Sequence, residues 1–151
     1  MNIKRILSYT RRAVDNYNMI SEGDRIAVGV SGGKDSLALL AALAHLKLFY
    51  PVPFEVVGVT VDMGFDGADY SEISEFCAEL NVPYHIIKTQ ISQVIFDVRK
   101  EDSPCSLCSR MRRGALNDAA EELGCNKVAL GHHKDDVIET FFMNIFFAGN
   151  I

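Results

Sequence analysis

The stretch that most constrains this 151-residue chain runs from Ile26 to Leu43. Ile26-Ala27-Val28-Gly29-Val30 is short, apolar and uncharged, which suits a strand buried on both faces. Ser31-Gly32-Gly33-Lys34-Asp35-Ser36 reads as a tight turn, and Leu37 to Leu43 is a run of Leu and Ala that favours helix. A strand passing through glycines into a helix N-terminus gathers backbone N–H donors and the positive end of the helix dipole at one point. Such a turn suits an anion, above all phosphate.

Along the chain, strands and helices alternate. Residues 3 to 20 form a helix by spacing, with Ile3, Ile6, Leu7, Val14 and Tyr17 near one face. Its basic side is either solvated surface or a place where Arg11 and Arg12 meet RNA phosphates. Residues 1–22 thus make an N-terminal helix, and 23–151 the remaining domain. A second helix spans 35–48, and Glu55 to Val61 is a second β-rich strand ending at Asp62-Met63-Gly64. Asp69 and Glu72, at capping-box spacing, open a helix from Tyr70 to Leu80 whose apolar face carries Cys77. Tyr84 to Lys88 is a third strand, with His85 on one of its faces, and 91–100 leans to a short helix. Pro104 starts a long helix closed by Gly124, Lys127 to Gly131 is a fourth strand, and Val137 to Phe147 is a very apolar helix. This alternation calls for an α/β fold, a parallel sheet with helices on both faces and right-handed crossovers. Ligands in such sheets lie at the carboxyl ends of the strands.

Composition narrows the function. With 48% hydrophobic residues the chain can bury a core, and its net charge of −5 confines any nucleic-acid contact to local patches. No apolar run reaches the ~20 residues that span a bilayer, so a cytoplasmic protein without membrane contact is expected. The four cysteines, Cys77, Cys105, Cys108 and Cys125, do not suggest a disulfide framework. Cys77 and Cys125 fit core positions. Cys105-x-x-Cys108 offers two soft ligands at the start of a helix, a spacing used by zinc and iron–sulfur sites and also by redox dithiols. Arg110, Arg112 and Arg113 follow within one turn, either as surface charge near Asp118, Glu121 and Glu122 or as contacts to phosphate or RNA. His132-His133-Lys134-Asp135-Asp136 follows the fourth strand and faces the same crevice as the 31–36 turn. Its carboxylates can hold magnesium or position a proton acceptor, and Asp135 can also cap the last helix. The very apolar last helix would need cover from a second subunit or from further chain, and further chain is the expectation.

The glycine turn matches neither established phosphate motif. Three residues, not four, separate Gly29 from Gly33-Lys34, and Asp35 stands where a Walker A loop has Ser or Thr; no third glycine follows for the dinucleotide fingerprint. It resembles instead the SGGxDS loop of the PP-loop, or N-type ATP pyrophosphatase, superfamily. With SGGKDS at 31–36, PCSLCSRMRRGAL at 104–116 and GHHKDDVIET at 131–140, the chain resembles the tRNA 2-thiocytidine synthetases, the tRNA-cytidine 2-sulfurtransferases. The resemblance implies a sheet of the HUP, adenine nucleotide alpha hydrolase-like, type in the order 3-2-1-4, with a fifth strand beyond this chain. It implies ATP-dependent thiolation: adenylation of the 2-position oxygen of a tRNA cytidine with release of pyrophosphate, then sulfur transfer giving 2-thiocytidine and AMP. The expected ATP contacts are Val30, Ser31, Gly32, Gly33, Lys34, Asp35, Ser36, Val61, Asp62, Met63, Gly131 and His132. Asp35, Lys34, Asp135 and Asp136 are the expected catalytic groups, assisted by Mg2+. Cys105 and Cys108 match the first pair of ligands of a 4Fe–4S cluster whose third cysteine is absent from this sequence. Arg110, Arg112 and Arg113 are the expected RNA contacts. The implied partners are tRNA, a sulfur donor such as a cysteine desulfurase, and a second copy in a homodimer. The competing readings are a tRNA 2-thiouridine synthetase, a lysidine-synthetase or amidotransferase-type ligase, and an isolated ATP- or RNA-binding module.

Overall fold

Ten elements alternate through a computed structural model that describes residues 3–95, 104–132 and 134–143. They are α1 (Ile3–Asn16), β1 (Arg25–Gly29), α2 (Lys34–Leu46), β2 (Glu55–Asp62), α3 (Ser71–Glu79), β3 (Tyr84–Lys88), the single turn α4 (Ile91–Gln93), α5 (Pro104–Glu122), β4 (Lys127–Leu130) and α6 (Lys134–Met143). The four strands form one sheet in the order β3-β2-β1-β4, all parallel. The expected sheet type and order are therefore present. The order reverses between β1 and β4, and this places the topological switch beside the end of β1, where the glycine turn begins.

Each face of the sheet has its own core. On one face α2, backed by α1 and flanked by α3, covers Ile26, Val28 and Val56; Leu40, Leu43 and Leu46 of α2 are buried there with Val14 of α1. On the other face Leu116, Ala119 and Ala120 of α5 pack on Ala27, Val57 and Val59. The alternation of side chains along a strand divides β1 between the two cores. Cys77 is fully buried in the first core, where a Cβ on Gly58 would lie 3.4 Å from its Sγ; burial pushes its thiol pKa up. Cys125 is half-buried beside the second core.

Several boundaries differ from the sequence expectation for local reasons. Helix α1 stops at Asn16 rather than residue 20, and Asn18, at φ 49°, turns the chain away. Helix α3 begins at Ser71, and Tyr70 at its N-cap makes no side-chain capping bond. The Asp69 carboxylate instead accepts the Ser71 N–H at 2.9 Å, a reach of two residues where a capping box needs three, and this bond holds the Asp69 carboxyl below its usual range. Helix α6 begins at Lys134, three residues before the expected Val137, so Asp135 and Asp136 lie inside its first turn, where carboxylates favour the helix dipole, and Asp135 is not its cap. Residues 96–100 of the expected 91–100 helix, and 144–147 of the expected last helix, lie outside the described residues.

At the amino ends of the strands, a buried carboxylate joins segments far apart in sequence. Asp24, 4% exposed, is met by the Lys127 ammonium, by the Ser21 N–H at 2.6 Å and by the Asn126 side-chain amide at 2.7 Å. Lys127 also donates to the Met19 carbonyl at 2.8 Å, so the segment after α1 is tied to β1 and β4. The Lys127 hydrogen bond, followed by those from Ser21 and Asn126, pulls the Asp24 pKa down to about 2. A lowered folded-state pKa gives stability that is complete above the ordinary carboxylate value of about 4 and is lost as pH falls through about 2. In chemical denaturation across that window the wild type loses stability steadily toward low pH. Asp24→Asn starts lower at neutral pH and has a flatter acid limb.

Candidate functional site

The glycine turn is built by its own hydroxyls. Ser36, buried at the start of α2, donates from Oγ to the Gly33 carbonyl at 2.9 Å and accepts the Ser31 N–H at 3.2 Å. Gly32 sits at φ +81°, a conformation that glycine adopts without strain. No side chain caps α2 at Gly33. A first helical turn has no intrahelical acceptors for its N–H groups, so this end of α2 offers donors and positive potential to an anion.

Gly131, just after β4, makes a close approach to this turn. A Cβ at Gly131 would lie 2.8 Å from the Ser36 nitrogen and 2.9 Å from the Asp35 carbonyl carbon, backbone atoms that cannot swing aside. The end of β1 is fixed from the other side. The Val30 N–H donates to Val59 at 2.8 Å, and Thr60 Oγ1, buried, donates to the Val30 carbonyl at 2.7 Å. The Tyr84 hydroxyl donates in turn to Thr60 Oγ1 at 2.8 Å. After β2, Asp62 is engaged in its own turn: its carboxylate accepts the Gly64 N–H at 2.9 Å and its carbonyl accepts both the N–H and the hydroxyl of Thr89.

A cleft of about 310 Å³ opens between these segments. The turn and α2 contribute Val30, Ser31, Gly33, Asp35 and Ser36; β2 and its end contribute Thr60, Val61 and Met63; Gly131 and His132 close the far side. From above, α5 adds Ser109, Arg112 and Arg113. Positions 109, 112, 113 and 116 follow the helical repeat, so the stripe that buries Leu116 continues into the cleft as two guanidinium groups. Tyr70, from the segment before α3, completes the wall; burial and the Asp62 carboxylate beside its hydroxyl push its pKa up. Among the described residues Asp35 is the one carboxylate lining the cleft.

The structure thus gathers most of the residues singled out by sequence into one cavity, but not all. Lys34 is exposed at the first position of α2, and Gly32, Asp62, Asp135, Asp136 and Arg110 do not line the cleft among the described residues. Arg112 and Arg113, the expected RNA contacts, line the same cavity as the glycine turn. Thr60 and Tyr70 were missed. Thr60 is the one hydroxyl in an otherwise apolar run of β2 that is buried on both faces, a signal available in the sequence, whereas Tyr70 carries no local signal. His133 lies outside the described residues.

Cys108 stands in the second turn of α5 with its Sγ 3.3 Å from Met63 Sδ, at the cleft edge. The side chain of Cys105 lies outside the described residues. Among the described residues no group of three or more His, Cys, Asp or Glu side chains can hold a metal ion, so they do not by themselves fit the cluster implied by the resemblance.

The architecture and the turn define a class: a family model described as a PP-loop domain matches residues 6–149, and the chain belongs to that family. It is most informatively similar to proteins with a narrower name. The tRNA-cytidine(32) 2-sulfurtransferase of Alkalilimnicola ehrlichii is 48% identical over 149 residues, 98% of this chain and 48% of the relative. That of Pseudomonas putida (strain W619) is 43% identical, over 98% of this chain and 54% of the relative. The chain spans about half the length of the curated relatives it matches. Among solved structures, the U34-tRNA thiolase NcsA from Methanococcus maripaludis with its 4Fe–4S cluster superposes with a TM-score of 0.77 at 27% identity, over 98% of this chain and 52% of that one.

Gly131→Ala forces the end of β4 away from α2 and lowers stability by about 1–3 kcal/mol, the usual range for overpacking. Gly114→Ala, on α5 with nothing within 4 Å of the new Cβ, is neutral or stabilising by up to about 1 kcal/mol. Thermal or urea unfolding of the two variants checks the contrast.

Proposed function

We propose that this chain is the ATP-binding and adenylating part of a tRNA-cytidine 2-sulfurtransferase. The observation that carries this reading is the convergence of the SGGKDS turn with Arg112 and Arg113 in one cleft, with Cys108 at its edge. A polyphosphate lies against the N-terminus of α2, with the two guanidinium groups opposite it balancing its charge. Asp35 meets the Mg2+ that accompanies ATP. Val61 and Met63 flank the adenine.

The chemistry follows from what this cleft offers. The O2 of cytosine attacks the α-phosphorus, the bond from that phosphorus to the oxygen bridging to the β-phosphate breaks, and pyrophosphate leaves. Charge developing on the phosphoryl oxygens is met by the arginines and by the turn's N–H groups, which the Ser36 hydroxyl holds in place before the reaction. The 2-position then carries AMP as a leaving group, and a sulfur nucleophile adds at C2 and expels it. The target base must be unpaired and splayed out to reach the cleft. Sulfur comes from a donor of the cysteine-desulfurase class, and the reaction runs in the cytoplasm with its tRNA. Lys34, Asp135 and Asp136 remain the further catalytic groups of this reading although, among the described residues, they do not line the cleft wall, and Arg110 serves as a contact for incoming RNA. Among the described residues, no helix is long and apolar enough to cross a membrane.

The similarity to a U34-tRNA thiolase supports a second reading, thiolation of a uridine. Mass spectrometry of tRNA nucleosides from a strain lacking the gene separates the two. Loss of 2-thiocytidine alone is the expected result; loss of 2-thiouridine with normal 2-thiocytidine would transfer the assignment to uridine. In vitro, Asp35→Asn lowers tRNA-dependent pyrophosphate release by about 10²–10³-fold, the scale for loss of one electrostatic group at a reacting centre. Unchanged release would remove Asp35 from the reaction.

A further inference from the structure

The outer face of α1 takes no part in the cleft. The inner face of the helix packs Leu7 and Val14 into the first core. Opposite them stand Arg5, Tyr9 and Arg12, at i, i+4 and i+7. The Tyr9 ring is 55% exposed and is flanked by both guanidinium groups, Arg5 at 5.7 Å and Arg12 at 5.9 Å from its centroid. Arg11 turns elsewhere and pairs with Asp15 at 3.5 Å. Of the two arginines that the sequence offered as one alternative for RNA contact, Arg12 shares the Tyr9 ring with Arg5, while Arg11 is paired with Asp15.

We propose that Arg5, Tyr9 and Arg12 form a second RNA-docking surface, which holds the phosphate backbone of the tRNA while its target base enters the cleft. This inference rests on the reading of the protein as a tRNA-modifying enzyme. Three features support it. Helix α1 carries Lys4, Arg5, Arg11 and Arg12 against the single carboxylate Asp15, in a chain of net charge −5, so its charge complements a polyanion. The ring holds two long cationic side chains as a pair, and this reduces the conformational entropy lost when each meets a phosphate. An exposed tyrosine between two arginines also offers an unpaired base a ring to stack on. An anionic membrane fits less well, because a helix lying in a bilayer interface needs its apolar face, and here that face is already buried against α2.

The test is binding of unmodified tRNA to the 151-residue chain across a salt series. Arg5→Gln with Arg12→Gln is expected to weaken binding about tenfold at moderate salt and to reduce the slope of log K against log salt by about 1.5, two phosphate contacts' worth. Arg5→Lys with Arg12→Lys keeps most of the slope, Tyr9→Phe keeps the affinity and Tyr9→Ala loses part of it. ATP binding stays at the wild-type level in all four. Equal affinity and slope in the glutamine variant would overturn the inference while leaving the enzyme reading in place. A wild-type chain that binds ATP but no tRNA would also overturn the inference, whereas the enzyme reading stands or falls with the tRNA nucleosides of the strain lacking the gene. Binding to anionic vesicles that disappears in the glutamine variant would reassign the surface to membranes. Photocrosslinking of tRNA to the wild type is an independent readout: the expected crosslinked peptide contains Tyr9, and crosslinks confined to α5 and the cleft would overturn the inference.

Discussion

The site depends on the contact between Gly131 and the first turn of α2. With 2.8 Å between a hypothetical Cβ and the Ser36 nitrogen, only hydrogen fits there. That contact brings the carboxyl end of β4 against a turn nearly a hundred residues earlier, with no side chain between them. Any residue larger than glycine would separate the two walls of the cleft. Overpacking therefore acts here on geometry as well as stability, because the walls are backbone and cannot repack as side chains do.

The rest of the site follows from the parallel sheet. Because the strand order reverses between β1 and β4, α2 and α5 lie on opposite faces and leave a gap between their ends. The hydroxyl chain Tyr84–Thr60–Val30 fixes the floor, joining three adjacent strands at the point where the turn begins. At the other end of the strands, Asp24 joins Ser21, Asn126 and Lys127. The strands are thus fixed at both ends, by neutral hydroxyls near the cleft and by a buried ion pair away from it. An ion pair beside the cleft would compete for the same phosphates; at the far end it does not.

Much of this was legible in the sequence where the signal was local. The apolar run 26–30, the glycines after it and the helix-forming residues to Leu43 define one unit without any tertiary information. The family resemblance supplied the strand order, which periodicity alone does not. Harder to read were features that depend on a second segment. Arg112 and Arg113 look like surface charge until the stripe through Leu116, Ala119 and Ala120 is followed backward along α5. Asp62 looks like a ligand at a strand end, yet its carboxylate is used by Gly64 two residues on. Asp135 and Asp136 look like a loop because acidic residues suit caps, but α6 starts early enough to take them into its first turn. On α1, composition alone did not distinguish Arg11 from Arg5; the Asp15 pairing and the Tyr9 ring did.

The central claim is that segments 31–36, 109–116 and 131–132 form one ATP cleft. Hydrogen–deuterium exchange of the chain with and without Mg·ATP tests it most directly. The account predicts that ATP slows exchange together in the 31–37 turn, in the 109–116 part of α5 and in the segment after β4, while the outer face of α1 is unchanged. Protection confined to the turn, with α5 exchanging as before, would contradict the claim and return Arg112 and Arg113 to the surface.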